Sequence, residues 1–168
     1  MRPEMLSSRP VDLEADREII LDFHCLGNYE TDTLVEKPLP FAAYRARWLA
    51  TSQPGTYLAA LAESLADPRT IAEVWEESAR PVGYLYVAFS EIEGYGVTVA
   101  HVRDVAVALE HQRRGIGTIM LQHAEEFARK GGATLIRAET GIENSASQGL
   151  HAKRGFTIYR LLYEKRLD

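Results

Sequence analysis

The sequence predicts a mixed α/β domain built on a central, mostly antiparallel sheet flanked by helices. Three features carry this reading. Between Thr70 and Val107 the chain is rich in β-branched and aromatic residues and is broken only by short polar or glycine-containing turns. At Gly115-Ile116-Gly117 the pattern changes period, and Met120, Leu121, Ala124, Phe127 and Ala128 follow at helical spacing. Beyond that helix a strand, a helix and further strand-like runs succeed one another, the order expected of a layered α/β domain.

The elements are expected in this order. Arg9-Pro10-Val11 ends a first short strand, and Asp12 and Asp16 are candidate caps for a helix that runs to about Leu26. Ile19, Ile20, Phe23 and Leu26 form its apolar face, and Gly27-Asn28 stops it. Tyr29 to Pro40, polar and with two prolines, reads as a loop. Phe41 to Thr51 and Tyr57 to Leu65 read as helices, with Pro54-Gly55 turning between them. Thr70–Glu76 and Pro81–Phe89 form a hairpin, and Val97–Val107 is the strand that feeds the glycine-containing turn. Gly131-Gly132 ends the following helix, Leu135–Glu139 is a strand, and Asn144–Arg154 is a short helix with Gly155 at its C-terminal cap. Phe156–Tyr159 and Leu161–Lys165 read as two last strands.

The chain has 168 residues, which is the size of one domain, and we expect a single unit over 1–168. A hydrophobic fraction of 46% and a charged fraction of 26% are those of an ordinary globular protein. The formal net charge of −5 argues against a general nucleic-acid binder and suits a cationic substrate such as an amine. The single cysteine, Cys25, allows no internal disulfide and lies in an apolar run that favours burial over catalysis. No run is long and apolar enough to span a membrane, and the N-terminus lacks the core of a signal peptide. The expected location is the cytoplasm. His24, His111 and His123 lack metal-ligand spacing, and no metal site is expected.

The turn Gln112-Arg113-Arg114-Gly115-Ile116-Gly117-Thr118 carries chemistry. A strand-to-helix turn delivers the free N–H groups of a helix N-terminus, where the dipole is positive. Glycines let that backbone approach a bound group closely, and Arg113, Arg114 and the Thr118 hydroxyl add to the same loop. The ligand this suits is a phosphate or pyrophosphate. A nucleotide P-loop requires lysine after its last glycine, where Thr118 stands, and a dinucleotide fingerprint requires glycine at the position of Met120. Neither motif fits.

The six residues from Gln112 to Gly117 resemble the Q/R-x-x-G-x-G/A signature of the GNAT superfamily of N-acetyltransferases, placed after the Val105-Ala106-Val107 strand end at the usual spacing. Asn144-Ser145-Ala146-Ser147-Gln148-Gly149-Leu150-His151, followed by Gly155-Phe156, resembles the N-x-x-A-x-x-L-Y-x-x-x-G-F segment of the same superfamily. The resemblance covers Val97 to the C-terminus. It implies the GNAT acyl-CoA N-acyltransferase fold and acetyl-CoA as cosubstrate, with its pyrophosphate on the amides of Gln112–Thr118. Departures are visible. His151 replaces the usual tyrosine, Ser147 stands where alanine is common, and Leu109 replaces a frequent proline. The variant around Ser147 and His151 looks like the phosphinothricin-type branch, which acts on the amine of amino-acid-like molecules.

Direct attack by an amine on a thioester needs a base, a donor for the departing thiolate and an N–H for the oxyanion. A strand amide within Val105, Ala106 and Val107 could supply the last. Asn144 can hold the pantetheine arm or cap its helix, and Ser147 lies beside it. His151, in its charged form, could be the thiolate donor. For the base, Glu139 matches the position used by ribosomal-protein members of the family, and His101 matches that of histone-type members. Asp104 is an unexpected charge in a core strand, expected on the face opposite His101. Glu110 reads as a solvated loop residue, and Tyr84 and Tyr86 as core or sheet-face residues.

The expected function is acetyl-CoA-dependent transfer to a primary amine, a small or amino-acid-like molecule being favoured over a peptide amine. The alternatives are a non-catalytic acyl-CoA sensor of the same fold, which the missing tyrosine keeps open, and an interaction domain with a vestigial loop. Strand exchange or pairing at a sheet edge would give a homodimer, and the sequence leaves the oligomeric state open.

Overall fold

The sheet is built around two long strands, β3 (Arg80–Ile92) and β4 (Val97–Val107), and every helix takes its place against one of their faces. The computed structural model describes residues 6–31, 39–165 and 167. The remaining elements are β1 (Leu6–Pro10), α1 (Arg17–Thr31), α2 (Phe41–Leu49), α3 (Gln53–Ser64), β2 (Ile71–Glu77), α4 (Ile116–Lys130), β5 (Leu135–Ala138) and α5 (Ser145–Lys153). A single turn of 3₁₀ helix at Leu109–His111 links β4 to the glycine loop. The sheet order is β1-β2-β3-β4-β5. The first three pairings are antiparallel, and β4 pairs β5 in parallel through the α4 crossover.

Strand alternation divides β3 between two cores. Leu85 and Val87 face α4, where they meet Ile116, Met120, Leu121, Ala124 and Ala128, and Val82 joins them because the β2–β3 register shift between Trp75 and Glu76 leaves it as an extra residue. Tyr84, Tyr86 and Ala88 face the other way, against Ile20, Leu21 and Phe23 of α1 and Leu58 and Leu61 of α3. Cys25 is fully buried, and burial pushes its thiol up to about 11, which makes it a poor nucleophile near neutrality.

Three expectations are corrected. First, α1 does not stop at Gly27-Asn28 but continues to Thr31. Its last turn is held by tertiary contacts. Tyr29 donates to the Leu39 carbonyl at 3.0 Å, and its ring meets Phe41 and Tyr44. Those contacts outweigh the ~1 kcal/mol that a mid-helix glycine costs. Part of the expected Tyr29–Pro40 loop, residues 32–38, lies outside the described residues.

Second, Phe156–Tyr159 and Leu161–Lys165 are not strands. A strand exists only with a neighbour to share its ladder, and among the described residues these segments join no sheet.

Third, Asp104 and His101 share one face. The β3–β4 register shifts between Tyr86 and Val87, whose partners are Asp104 and Val102, so Arg103 is an extra residue. This β-bulge reverses the parity of the strand. His101 opposes Ala88 and Asp104 opposes Tyr86, and both partners belong to the face covered by α1 and α3.

Candidate functional site

The site forms where β4 and β5 part. Their pairing ends at Val102↔Ala138, while β4 runs on through Arg103–Val107 with one edge unpaired. Ala108 N–H donates to the Val82 carbonyl at 2.9 Å, toward β3. By strand alternation the Ala106 amide also points toward β3, and the amides of Val105 and Val107 point to the open edge. Gln112 Nε2 donates to the Val107 carbonyl on that edge at 3.1 Å and so ties the loop to the strand end.

The loop itself is shaped by two residues with positive φ, Arg113 at 60° and Gly115 at 86°. Gly115 is the N-cap of α4, and no side chain caps the helix. Among the described residues no backbone carbonyl accepts from the amides of Gly115, Ile116, Gly117 or Thr118. These donors are what an anionic group needs. Gly117 is packed from below, since a Cβ there would come within 3.3 Å of Leu150 Cδ2 on α5. The two arginines differ. Arg114 is committed to buried Glu77 through bonds of 2.9 and 3.1 Å and also meets His111 Nδ1 at 2.7 Å, while Arg113 is exposed.

The far wall is the β5–α5 segment. Asn144 caps α5, its Oδ1 accepting from the Ser147 amide at 3.0 Å. Gln148 Nε2 donates to the Gly141 carbonyl at 3.1 Å and to that of Ile142 at 2.6 Å, and pins the loop. Gly141 lies so close to the last turn of α1 that a Cβ would stand 2.9 Å from Thr31 Cα. His151 is buried. Its Nδ1 bonds the Ser147 carbonyl at 2.7 Å, so Nδ1 carries the proton, and Nε2 is left buried without a partner.

Of the expected bases, His101 sits one pair before the parting, opposite Arg137, with Nε2 on Ser90 Oγ at 2.8 Å. Burial, then the charges of Arg103 and Arg137, lower its proton affinity, and Glu139 opposes them. Glu139 is exposed just beyond β5. Asp104 is 8% exposed and both its oxygens are taken. Oδ1 meets His24 Nδ1 at 2.8 Å, and Oδ2 accepts from the Tyr57 hydroxyl at 2.9 Å. Tyr57 also meets the Tyr84 hydroxyl at 2.9 Å and stacks on His24 at 3.5 Å. Burial first, and the Asp104 charge second, push both phenols far up, so they stay protonated donors. Asn28 Nδ2 lies 3.1 Å from His24 Nε2, one helical turn nearer to Thr31 and the parting.

His24, Asn28 and Tyr57 escaped the sequence reading, and Tyr84 was read there as a core or sheet-face residue. The signal available was Asp104, a carboxylate in a core strand that demands buried donors, and the i, i+4 pair His24 and Asn28 on one helix face. Among the described residues no group of His, Cys, Asp and Glu could hold a metal ion, and no helix is long and apolar enough to cross a membrane.

Comparison with known proteins agrees with this architecture. An uncharacterized N-acetyltransferase of Methanocaldococcus jannaschii is 29% identical over 84 residues, 49% of this chain and 37% of that protein. The aminoglycoside N(6')-acetyltransferase type 1 of Klebsiella aerogenes is 35% identical over 65 residues, 39% of this chain and 43% of that protein. The chain thus spans less than half the length of the curated relatives it matches. In fold it is similar to a predicted acetyltransferase of Clostridium acetobutylicum solved with acetyl-CoA, with a TM-score of 0.70, 14% identity and 96% of each chain covered. The model of the acetyltransferase (GNAT) family matches residues 32–156, three quarters of the sequence, and the chain belongs to that family.

Proposed function

We propose that this chain is a single-domain, acetyl-CoA-dependent N-acetyltransferase that acts by direct transfer to a primary amine. The observation that carries the reading is the uncapped N-terminus of α4 beside the unpaired edge of β4. Bound there, acetyl-CoA would supply the activated acetyl group. The amides of Gly115–Thr118 hold negative charge, and the outward N–H of Val105 or Val107 meets the carbonyl oxygen as it gains charge. Asn144 braces the α5 wall.

Asp104 acts through another residue, because both its oxygens are occupied. It fixes the proton of His24 on Nδ1 and leaves Nε2 as a lone pair, the arrangement of a positioned base. Asn28 occupies that lone pair until the amine displaces it. Glu139, exposed at the parting, draws in the ammonium group, and His101 stands behind it. In its charged form His151 would serve the departing thiolate through the proton on Nε2, while Nδ1 stays on the Ser147 carbonyl.

Glu139 at the parting and the net charge of −5 favour a cationic small molecule as acceptor. Aminoglycosides and amino acids head the screen, the former because one relative is an aminoglycoside N(6')-acetyltransferase. The test is calorimetric titration with acetyl-CoA, with ATP and NAD as controls, followed by thiol release with a panel of amines. Selective binding and turnover support the enzyme. One feature favours a second reading, an acyl-CoA sensor: His151 stands in place of the family's usual tyrosine, and its Nε2 makes no hydrogen bond among the described residues. Binding without turnover on any amine would select the sensor, and no binding would remove both.

A further inference from the structure

Glu77 closes β2 as a carboxylate only 7% exposed, and a charge so deeply placed must be paired. Its partner lies 37 residues on, in the glycine loop. Arg114 Nη1 donates to Oε2 at 2.9 Å and Nη2 to Oε1 at 3.1 Å, a two-pronged ion pair. The second proton of Nη1 goes to His111 Nδ1 at 2.7 Å. An arginine only donates, so this ring nitrogen accepts. The same nitrogen stands 3.4 Å from Glu77 Oε2. One carboxylate thus gathers the residues on either side of Gln112-Arg113.

That turn has little else to fix it. Arg113 has a φ of 60°, a conformation that a residue with a Cβ leaves unless it is held. Among the described residues no backbone carbonyl accepts from the amides of Arg113 or Arg114. Gln112 is tied to the Val107 carbonyl on one side, and the Glu77 node holds the other. Arg114 is followed at once by Gly115, the N-cap of α4, so its position sets where the amides of Gly115–Thr118 point.

We propose that Glu77 is a positioning residue for acetyl-CoA. Through Arg114 and His111 it holds the loop in the shape that binds pyrophosphate, and Arg114 is a clamp, not a phosphate ligand. This rests on the reading of the loop as an acetyl-CoA site. A loop that keeps its shape for only a fraction of the time binds with an affinity lowered by that fraction. Arg113, exposed beside the clamp, is left as the cation for the phosphates.

Calorimetry with acetyl-CoA compares wild type, Glu77→Gln, Arg114→Gln and the double variant, with circular dichroism to verify the fold. Each single change should weaken binding roughly tenfold. The double variant should be no weaker than either, because the two side chains act as one unit. If Arg114 touched phosphate, Glu77→Gln would release it and leave affinity unchanged or higher, and that result overturns the proposal. So do losses that multiply in the double variant. S-acetylpantetheine, which has the thioester arm and no phosphate, separates loop shape from general damage. Its affinity, followed by NMR, should not change in Glu77→Gln, and an equal loss for both ligands overturns the clamp. Should Glu77→Gln fail to fold, Arg114→Lys decides. Lysine keeps the charge and lacks the fork, so affinity should fall as in Arg114→Gln, and retained affinity overturns the proposal. A wild type that binds no acetyl-CoA removes the proposed function and the clamp with it, whereas wild-type affinity in Glu77→Gln removes the clamp alone.

Discussion

Asp104 in β4 holds the His24 imidazole of α1 at 2.8 Å across 80 residues of sequence, and its second oxygen takes the Tyr57 hydroxyl at 2.9 Å. In the proposed mechanism this pair serves as base and orienter, a role that mutation separates from that of Glu139. His24→Gln is expected to lower kcat/KM by about 10²–10⁴-fold. Asp104→Asn should lower kcat/KM in the same sense. Glu139→Gln should act mainly on the KM of the amine, by roughly tenfold or less. Steady-state kinetics decide. A large kcat loss in Glu139→Gln with unchanged kcat/KM in His24→Gln would transfer the base role to Glu139.

His151 makes a second kinetic test. Its Nδ1 is fixed on the Ser147 carbonyl, its ring meets Phe156 edge-on at 5.0 Å, and Nε2 is the only atom left for chemistry. His151→Phe keeps the ring volume and removes that atom. Turnover should fall about 10²-fold with the KM for acetyl-CoA little changed, and His151→Tyr should recover much of the loss. Equal turnover in the phenylalanine variant would leave His151 a packing residue.

The loop is tested by charge. Gly117→Glu places a carboxylate at the first turn of α4, among amides that no backbone carbonyl of the described residues accepts from. Each lost charge-assisted bond costs about 1.5–3 kcal/mol, so acetyl-CoA affinity should fall roughly 10–100-fold or more. Calorimetry reads the affinity, and circular dichroism verifies that the variant folds. A folded variant with unchanged affinity would remove the anion from this loop.

How much of this was legible follows from the range of the interactions. Local signals read well. The change of period at Ile116, the Asn144 cap and the burial of Cys25 each depend on a few neighbouring residues, and each is found in place. The misses are non-local. Gly27-Asn28 has the chemistry of a helix stop, but packing against α2 carries α1 on to Thr31. The faces of His101 and Asp104 were inverted because the bulge at Arg103 depends on the β3 register. His24 could not be assigned before the fold brought it to Asp104. Strand composition at 161–165 was legible, but whether a strand forms depends on a partner.

A strained turn offers a gain in stability. Ser78 and Ala79 join β2 to β3 with φ of 50° and 61°, so two residues with a Cβ occupy the left-handed region. Asn-Gly is the pair that such a turn favours. Ser78→Asn with Ala79→Gly should raise stability by about 1–2 kcal/mol, from relief of left-handed strain at Ala79. An unchanged urea midpoint would show that the strands, not the turn, set the local conformation.

Asp16 links stability to pH. Arg9 donates to both its oxygens, at 2.6 and 2.8 Å, and the Asp12 amide adds a third bond at 2.8 Å. The Arg9 bonds outweigh the opposing effect of burial and, with the amide, hold the carboxyl below its ordinary value of 3.8. A lowered folded value means that the unfolded chain binds the proton more tightly. The stability is therefore fully present above 3.8 and is lost as the pH falls from there through the lowered folded value. Asp16→Asn should cost about 1–3 kcal/mol near neutral pH, since a buried charge-assisted network loses its charge. Urea midpoints of wild type and variant, measured from neutral pH downward, should stay apart until the solution passes the ordinary aspartate range and should converge below it. A gap that persists unchanged in strong acid would assign the loss to altered packing and not to the carboxylate.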